Sequence, residues 1–517
     1  MPDDLLALYA QTTPGSTAVI VDEALGGTPS ATSFAQLNLQ VNRLAHAIRE
    51  LGVLQGERIV WCGPNSLEVL VIIHAARKSG QVAVPLSYRF NADEMAYVID
   101  NSDATLVIVD AEQAPIVAGI RERIPKVREI LVFGGDAPEG TKAWKDVLAA
   151  QPETEPVAPD KSEVGAQMLY TSGTTGKPKG ALRTATDSAL VGALLGELGL
   201  RFGEEVHITT GPLYHSGPLA FASIAHSMGG AIIVLRRFDP TAWLRLVKEH
   251  RATNTFSAPT QVKRIVSLPP GELARADLSS MRCLIANAAP VPYALKQEVF
   301  EKLGDWFLYE VYGSTELGIV TVMKPENQLA KPGSCGRPYG GIEIKIVADD
   351  GTEAAPGDPG ELFIRTTLAM DGYHRTSEQL TEIESGGWKS VGDVAKVDAD
   401  GFVSICDRKK DMIISGGVNI YPAEIEAIIY AHPQILDAAV FGIPDDEWGE
   451  SVYCVVQAKA GETLDLDEVD RFVTERVARY KRPRGYEERD ELPRTDAGKL
   501  LKRVLRDEFW QDRTSAV

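Results

Sequence analysis

Cysteine is scarce and scattered. The 517 residues hold five, Cys62, Cys283, Cys335, Cys406 and Cys454, without CxxC or Cys/His spacing. That excludes a zinc module and a disulfide framework, and it reads as a reduced, cytoplasmic chain. Positive charge is also in short supply: 53 Lys and Arg against 72 Asp and Glu leave a net charge of −19. Nucleic acid and anionic membrane are therefore excluded as main partners, and any phosphorylated ligand must meet a local cationic exception. The opening residues, Met1-Pro-Asp-Asp-Leu-Leu, lack the basic-then-apolar order of a signal peptide. Gly217 to Leu235 carries no Asp, Glu, Lys or Arg over 19 residues. Pro218, His226 and the Gly229-Gly230 pair make it a buried helix, a break and a buried strand rather than a membrane span, so no integral membrane association is expected.

What is present suits a soluble globular protein of two to four units, taking ~150 residues per unit, with 44% hydrophobic and 24% charged residues. Helical spacing over Phe34 to Leu51 and Ser66 to Lys78 alternates with short apolar runs at Arg58 to Cys62 and Val82 to Pro85. Asn91-Ala-Asp-Glu94 resembles a capping box. A second series from Glu205 to Val311 has strands near Ala231 to Leu235 and Arg282 to Ile285, and a strand at Trp306 to Val311. This alternation predicts an α/β fold of βαβ units with largely parallel sheets in a large N-terminal domain, residues 1–407. From 330 to 407, glycines punctuate short alternating segments, Ile342 to Ile346 and Gly360 to Arg365 among them, which predicts a small antiparallel β subdomain. The charged run Asp407-Arg-Lys-Lys-Asp411 then reads as a hinge, residues 408–411, before a mobile α+β domain of residues 412–517. In that domain Glu424 to Tyr430 and Asp467 to Tyr480 read as helices, and Ala438 to Gly442 and Val452 to Gln457 as strands.

The densest chemical signal is Tyr170-Thr-Ser-Gly-Thr-Thr-Gly-Lys-Pro-Lys-Gly180, with four aliphatic hydroxyls, three glycines, two lysines and no acid in eleven residues. Glycines admit a phosphate close to the backbone, hydroxyls and amides donate to it, and lysines oppose its charge. A triphosphate is the natural guest. A surface linker has a similar composition, but Met168 to Tyr170 reads as a buried strand feeding the loop. It is not a P-loop: only two residues separate Gly173 from Gly176, and Pro178 stands where that motif holds Mg²⁺ with Ser or Thr. The metal ligand must come from elsewhere.

Together with Asn287-Ala-Ala-Pro290, Tyr312-Gly-Ser-Thr-Glu316, Gly360-Glu-Leu, Gly392-Asp393, Asp407-Arg408, Ser415-Gly-Gly417 and Pro493 to Lys499, the whole chain resembles the adenylate-forming superfamily. That group comprises acyl-CoA synthetases, peptide-synthetase adenylation domains and luciferases. The resemblance is nearest to bacterial acyl-CoA ligases of fatty, carbocyclic or steroid-like acids. It implies ATP and Mg²⁺ as reaction partners, coenzyme A as co-substrate, a carboxylic acid as substrate, and a homodimer at family level. By the same resemblance Thr171, Ser172, Gly173, Thr174, Thr175 and Lys179 handle phosphates, Glu316 holds Mg²⁺, and Thr315 donates to the α-phosphate. Asn287, Ala288, Ala289, Pro290 and Tyr312 form the adenine pocket, and Asp393 with Arg408 meets the ribose. Lys499 is the adenylation cation, and Lys410 the pivot that carries it away before thioester formation. Gly416 and Gly417 are assigned to the pantetheine tunnel, although they equally suit a tight hairpin turn. Tyr480, Lys481 and Arg482 form a cationic patch for CoA. His215 is assigned beside the acyl group.

The expected acyl pocket, Tyr214, His215, Ser257, Ala258 and Gly313 among its residues, is small or apolar with no Asp to greet an amine. That disfavours amino acids and favours a hydrophobic acid. Val391 replaces the hydroxyl residue many relatives carry. An acyl-CoA ligase is the preferred reading. A ligase loading a carrier protein, a luciferase-like oxygenase, a non-catalytic nucleotide-binding regulator, and an enzyme doing one half-reaction with a partner stay open.

Overall fold

The computed structural model describes residues 4–22, 30–159, 167–171, 178–184, 187–377, 379–383, 386–495 and 500–510. Local signals place the elements that build the site. Ser66 caps helix Leu67–Ser79 through the Val69 amide, and Gly80 ends it at φ 81°. Asn91 and Glu94 form the complete capping box of helix Ala92–Asn101. Strands such as Ala104–Asp110 are buried along their whole length, as parallel strands covered on both faces must be.

Two large sheets form the body. The nine-stranded sheet has a parallel centre (Leu308–Ser314, Cys283–Ala286, Asn254–Ser257, Val206–Thr209, Ala231–Leu235, Thr17–Asp22) with antiparallel strands at both edges. The eight-stranded sheet is parallel through Val82–Leu86, Arg58–Cys62, Ala104–Asp110 and Glu129–Phe133, and the antiparallel hairpin Gln167–Thr171 and Lys179–Arg183 flanks it. One core joins the sheets: Val19 and Val234 of the first and Ile59 and Leu106 of the second meet around Leu37, Val41, Val69 and Ile72 of helices Phe34–Glu50 and Leu67–Ser79. A six-stranded antiparallel sheet spans Glu343–Val347 to Val403–Arg408. The C-terminal unit is a five-stranded sheet with its own core around Ile425, Val440, Val456 and Val469. All five cysteines are free thiols.

Gly217 to Leu235 is divided as expected, into helix Ser216–Ser227 and strand Ala231–Leu235. Among the described residues no helix is long and apolar enough to cross a membrane. Several elements differ from the sequence reading. The strand expected over Trp306 to Val311 is Leu308–Ser314, so Tyr312, Gly313 and Ser314 end a strand instead of forming a turn. The helix expected from Asp467 to Tyr480 is Leu466–Thr474. Asp407 and Arg408 lie in strand Val403–Arg408, paired in register with Val394 and Asp393, so the charged run is half ladder. The β subdomain also lends pieces to the large sheets: Arg337–Pro338 pairs with Gly318–Met323, and Gly372–Tyr373 with Lys179–Arg183.

Candidate active site

A cleft of about 3130 Å³ runs from Tyr214 and His215, past Asn287 to Pro290 and Tyr312, to Asp437, Arg494 and Leu500 of the C-terminal unit. The hairpin Gln167–Thr171 and Lys179–Arg183, expected to meet phosphates, builds one end of it. Ser172, Gly173, Thr174 and Thr175 lie outside the described residues, but both arms do not. The Thr171 hydroxyl donates to Glu316 Oε1 at 3.1 Å, and the Tyr373 hydroxyl meets the same oxygen at 3.1 Å. Lys179 Nζ stands 5.6 Å from the Tyr373 ring centroid. The expected metal ligand thus sits at the root of the hydroxyl-rich segment. Among the described residues no group of three or more His, Cys, Asp or Glu could hold a metal. One carboxylate beside such a segment suits Mg²⁺, which is commonly bound through one or two carboxylates plus substrate phosphates.

Glu316 and Thr315 occupy the turn between strands Leu308–Ser314 and Gly318–Met323. The turn is tight because Gly313 approaches the return strand: a Cβ there would lie 2.2 Å from the Gly318 carbonyl oxygen. This contact explains Gly313 better than the pocket does, although Gly313 also lines the cleft. Thr315 Oγ1 is 3.1 Å from Ser216 Oγ, and its carbonyl accepts from Arg183 Nη2 at 2.9 Å. Burial lowers the pKa of Arg183, while Asp371 and Glu316 oppose that shift. Sequence reasoning passed over Arg183. The available signal was a guanidinium ending the otherwise small and apolar run Gly180-Ala-Leu182.

The residues expected to receive the nucleotide begin where strand Cys283–Ala286 stops. The Asn287 amide donates to the Val311 carbonyl, and its Oδ1 accepts from the Ala288 amide. Ala288 is held at φ 75°, a left-handed conformation that costs an L-residue about 1–2 kcal/mol and is retained where surrounding structure over-determines it. Across the cleft the Tyr312 hydroxyl donates to Asp393 Oδ2 at 2.6 Å, and Arg408 Nε lies 3.5 Å from Asp393 Oδ1. Burial, and then the Asp393 charge, hold the Tyr312 phenol well above its ordinary range, so it remains a donor. Tyr312, Asp393 and Arg408 are therefore brought together.

Where the acyl pocket is expected, His215 precedes helix Ser216–Ser227, its ring 4.6 Å from that of Tyr214, which in turn meets Tyr88 at 5.6 Å. Val191, Leu194, Phe221 and Ile224 continue the apolar wall. Gly217 lets this helix approach the sheet, since a Cβ would lie 2.3 Å from the Phe256 ring. Ala258 lines the cleft but Ser257 does not. Ser257 is fully buried, with its hydroxyl 3.0 Å from Thr210 Oγ1. Ser257, expected in the acyl pocket, therefore faces Thr210 and not the cleft, because strand alternation turns its side chain inward.

In the C-terminal unit Lys499 lies outside the described residues. The segment that carries it is rooted on the cleft: Arg494 is ion-paired to Asp437, and the Leu501 amide donates to the Pro493 carbonyl at 2.8 Å. Lys502, unnoticed in the sequence, is buried 2.8 Å from Glu426 and 3.9 Å from Asp407, so it ties this segment to the end of the β subdomain. The Lys410 carbonyl accepts from Arg506 at 3.3 Å, and burial lowers the Lys410 pKa. Gly416 and Gly417, at φ 57° and 79°, form the exposed turn between Ile413–Ser415 and Val418–Ile420, with Gly416 against Trp448, outside the cleft. Tyr480 and Lys481 line the cleft, and Arg482 is exposed. The cationic patch is weaker than its sequence implied. Lys481 donates to both Glu424 oxygens at 2.7 and 2.6 Å, and Arg484 lies 3.4 Å from Asp445.

Residues 6–374 match the AMP-binding enzyme family, and residues 424–499 match the AMP-binding enzyme C-terminal domain. The chain is 35% identical over 504 residues to a feruloyl-CoA synthase of Amycolatopsis sp, covering 97% of each. It is 32% identical to the fatty acid–[acyl-carrier-protein] ligase ScoC of Streptomyces coeruleorubidus, covering 98% of this chain and 96% of that one. The crystal structure of ATP-bound MatB from Rhodopseudomonas palustris superposes with a TM-score of 0.86 at 28% identity, covering 99% of both chains. The chain therefore belongs to the AMP-binding enzyme family of the adenylate-forming superfamily.

Proposed function

We propose that the chain is an AMP-forming acid–thiol ligase that activates a hydrophobic carboxylic acid with ATP and transfers the acyl group to CoA. The observation carrying this reading is one cleft in which an apolar wall, the strained backbone at Ala288, and Glu316 beside Thr171 converge. The CoA ligases among its relatives, a feruloyl-CoA synthase included, support the acceptor.

A carboxylate is a poor electrophile because its leaving group would be oxide. In the first half-reaction its oxygen attacks the α-phosphorus, the bond to the β-phosphate oxygen breaks, and pyrophosphate leaves an acyl-AMP anhydride. An anion thereby meets a polyanion, so catalysis consists of positioning and charge stabilisation. Thr315 donates to the α-phosphate in this reading, which its contacts with Ser216 and Arg183 support. Asn287 to Pro290 and Tyr312 receive adenine, Asp393 accepts from the ribose, and Lys499 bridges carboxylate and α-phosphate. Mg²⁺, when bound to Glu316 and the nucleotide, neutralises charge on the phosphates. In the second half-reaction the CoA sulfur attacks the acyl carbon, the thiol proton is released, and AMP departs. For this step residues 412–517 rotate about Lys410, withdraw Lys499 and bring Gly416 and Gly417 to the pantetheine arm.

Acid-dependent pyrophosphate release with ATP, across fatty, aromatic and polycyclic acids, followed by consumption of free CoA thiol, tests the proposal. Product formed only with a phosphopantetheinyl protein assigns the chain to carrier loading, which the likeness to ScoC makes the specific alternative. Nucleotide binding without pyrophosphate release for any acid overturns the enzyme reading.

A further inference from the structure

The C-terminal end of helix Ala92–Asn101 touches every strand end from which segment 172–177 departs. Asn101 Oδ1 accepts from the Tyr170 hydroxyl at 2.7 Å, one residue before Thr171. Tyr97, one turn earlier, donates to the Pro178 carbonyl at 3.1 Å on the other arm. Asp103, just past the helix, meets His374 Nε2 at 3.0 Å and Arg375 Nη2 at 2.5 Å, and Lys126 Nζ lies 2.8 Å from its Oδ1. His374 and Arg375 follow strand Gly372–Tyr373, which pairs with Lys179–Arg183 and delivers the Tyr373 hydroxyl to Glu316. The His374 amide adds a bond of 2.8 Å to the Gly180 carbonyl.

Backbone strain marks the same place. Among the described residues four non-glycine positions have positive φ, and two of them, Asp103 at 60° and Arg375 at 54°, are ion-paired to each other across 272 positions of chain. Such strain persists only where neighbouring contacts impose it, and it gathers at functional sites. Groups that meet phosphates without reorganisation need the residues around them held in place.

We propose that Tyr97, Asn101 and Asp103 form a collar of positioning residues that sets the spacing of Thr171, Pro178 and Tyr373 for the triphosphate. The inference rests on reading residues 170–180 as the triphosphate-binding segment. The collar touches no substrate, and it acts in the adenylation half-reaction alone.

Full-length wild type, Asn101→Ala, Asp103→Gly and Asp103→Asn are compared. Asp103→Gly removes the carboxylate while relieving the positive φ, and Asp103→Asn keeps both a tolerated backbone and an acceptor. The KM for ATP in pyrophosphate release should rise about tenfold in Asn101→Ala and Asp103→Gly, the size of one hydrogen bond of this kind, and less than about threefold in Asp103→Asn. Thioester formation from supplied acyl-AMP should stay at the wild-type rate in all three. Equal loss in both half-reactions, or an ATP KM within about twofold of wild type in Asn101→Ala and Asp103→Gly, overturns the collar. A wild type that binds no ATP overturns the reading of residues 170–180 and the collar with it. ATP binding unaffected by the variants overturns the collar alone.

Discussion

Replacing Asp393 by alanine separates the nucleotide site into measurable parts. The carboxylate accepts from the buried Tyr312 hydroxyl at 2.6 Å and lies 3.5 Å from the half-exposed Arg408. Its removal leaves that hydroxyl without this acceptor, a loss of about 1.5–3 kcal/mol for a bond to a charged group. The Arg408 pair is open to solvent and adds only about 0–1 kcal/mol. Global stability should therefore fall by about 1.5–4 kcal/mol. If Asp393 also accepts from two ribose hydroxyls, ATP loses about 3 kcal/mol, or roughly a hundredfold in affinity. Tyr312→Phe removes the same protein bond but not the ribose bonds, so it should match the stability loss and spare most ATP affinity. Denaturant unfolding of both single variants and the double variant measures the coupling, which should reach about 1.5 kcal/mol or more. Calorimetric ATP titration measures the second quantity. Additive stability losses, or an ATP affinity for Asp393→Ala within about fivefold of wild type, would refute the reasoning.

Lys499→Ala should slow acyl-AMP formation by about 10²–10³-fold while sparing thioester formation from supplied acyl-AMP. Equal loss in both steps would remove Lys499 from its proposed role. Lys296→Met leaves Glu310 with a buried, unpaired carboxylate and should lower unfolding stability by about 3–5 kcal/mol, most of it regained in Lys296→Met/Glu310→Leu. A double variant no better than the single would contradict the origin of that loss. His207 and His226 are fully buried, and burial lowers each pKa to about 4. Both are neutral when folded and take up protons on unfolding below about 6.5, so this stability is complete above that pH and lost as pH falls toward 4. At pH 5 each histidine should account for about 2 kcal/mol of lost stability. His207→Gln should flatten the fall in denaturation midpoint between pH 7.5 and 5, and an unchanged slope would show that His207 does not titrate this way.

Much of the body was legible in the chain because its signals are local. Ser66, Asn91 with Glu94, and Gly80 act within one helical turn, and the fully apolar Ala104–Asp110 needs both faces covered wherever it lies. Glu316 was assigned to the metal by family likeness, and its position beside Thr171 then followed from a hairpin meeting a turn 145 residues away. Two expectations turn on side-chain direction and on distant partners. Ser257 and Ala258 are adjacent, yet one faces Thr210 in the core and the other the cleft, because extended backbone turns successive side chains to opposite faces. Lys481, read as part of a cationic patch, is paired with Glu424, which helix Pro422–Ile429 brings against it.

By itself the sequence determined the α/β alternation, the glycine- and hydroxyl-rich segment, and the residue types available to bind a nucleotide. These depend on neighbours a few positions apart. Tertiary structure alone decided which distant groups share a site. Tyr312 meets Asp393 over 81 residues, Arg183 supports Thr315 over 132, and Asp103 restrains Arg375 over 272. Those pairings follow from strand order and sheet register, which bury whole faces at once and which no short stretch of chain encodes.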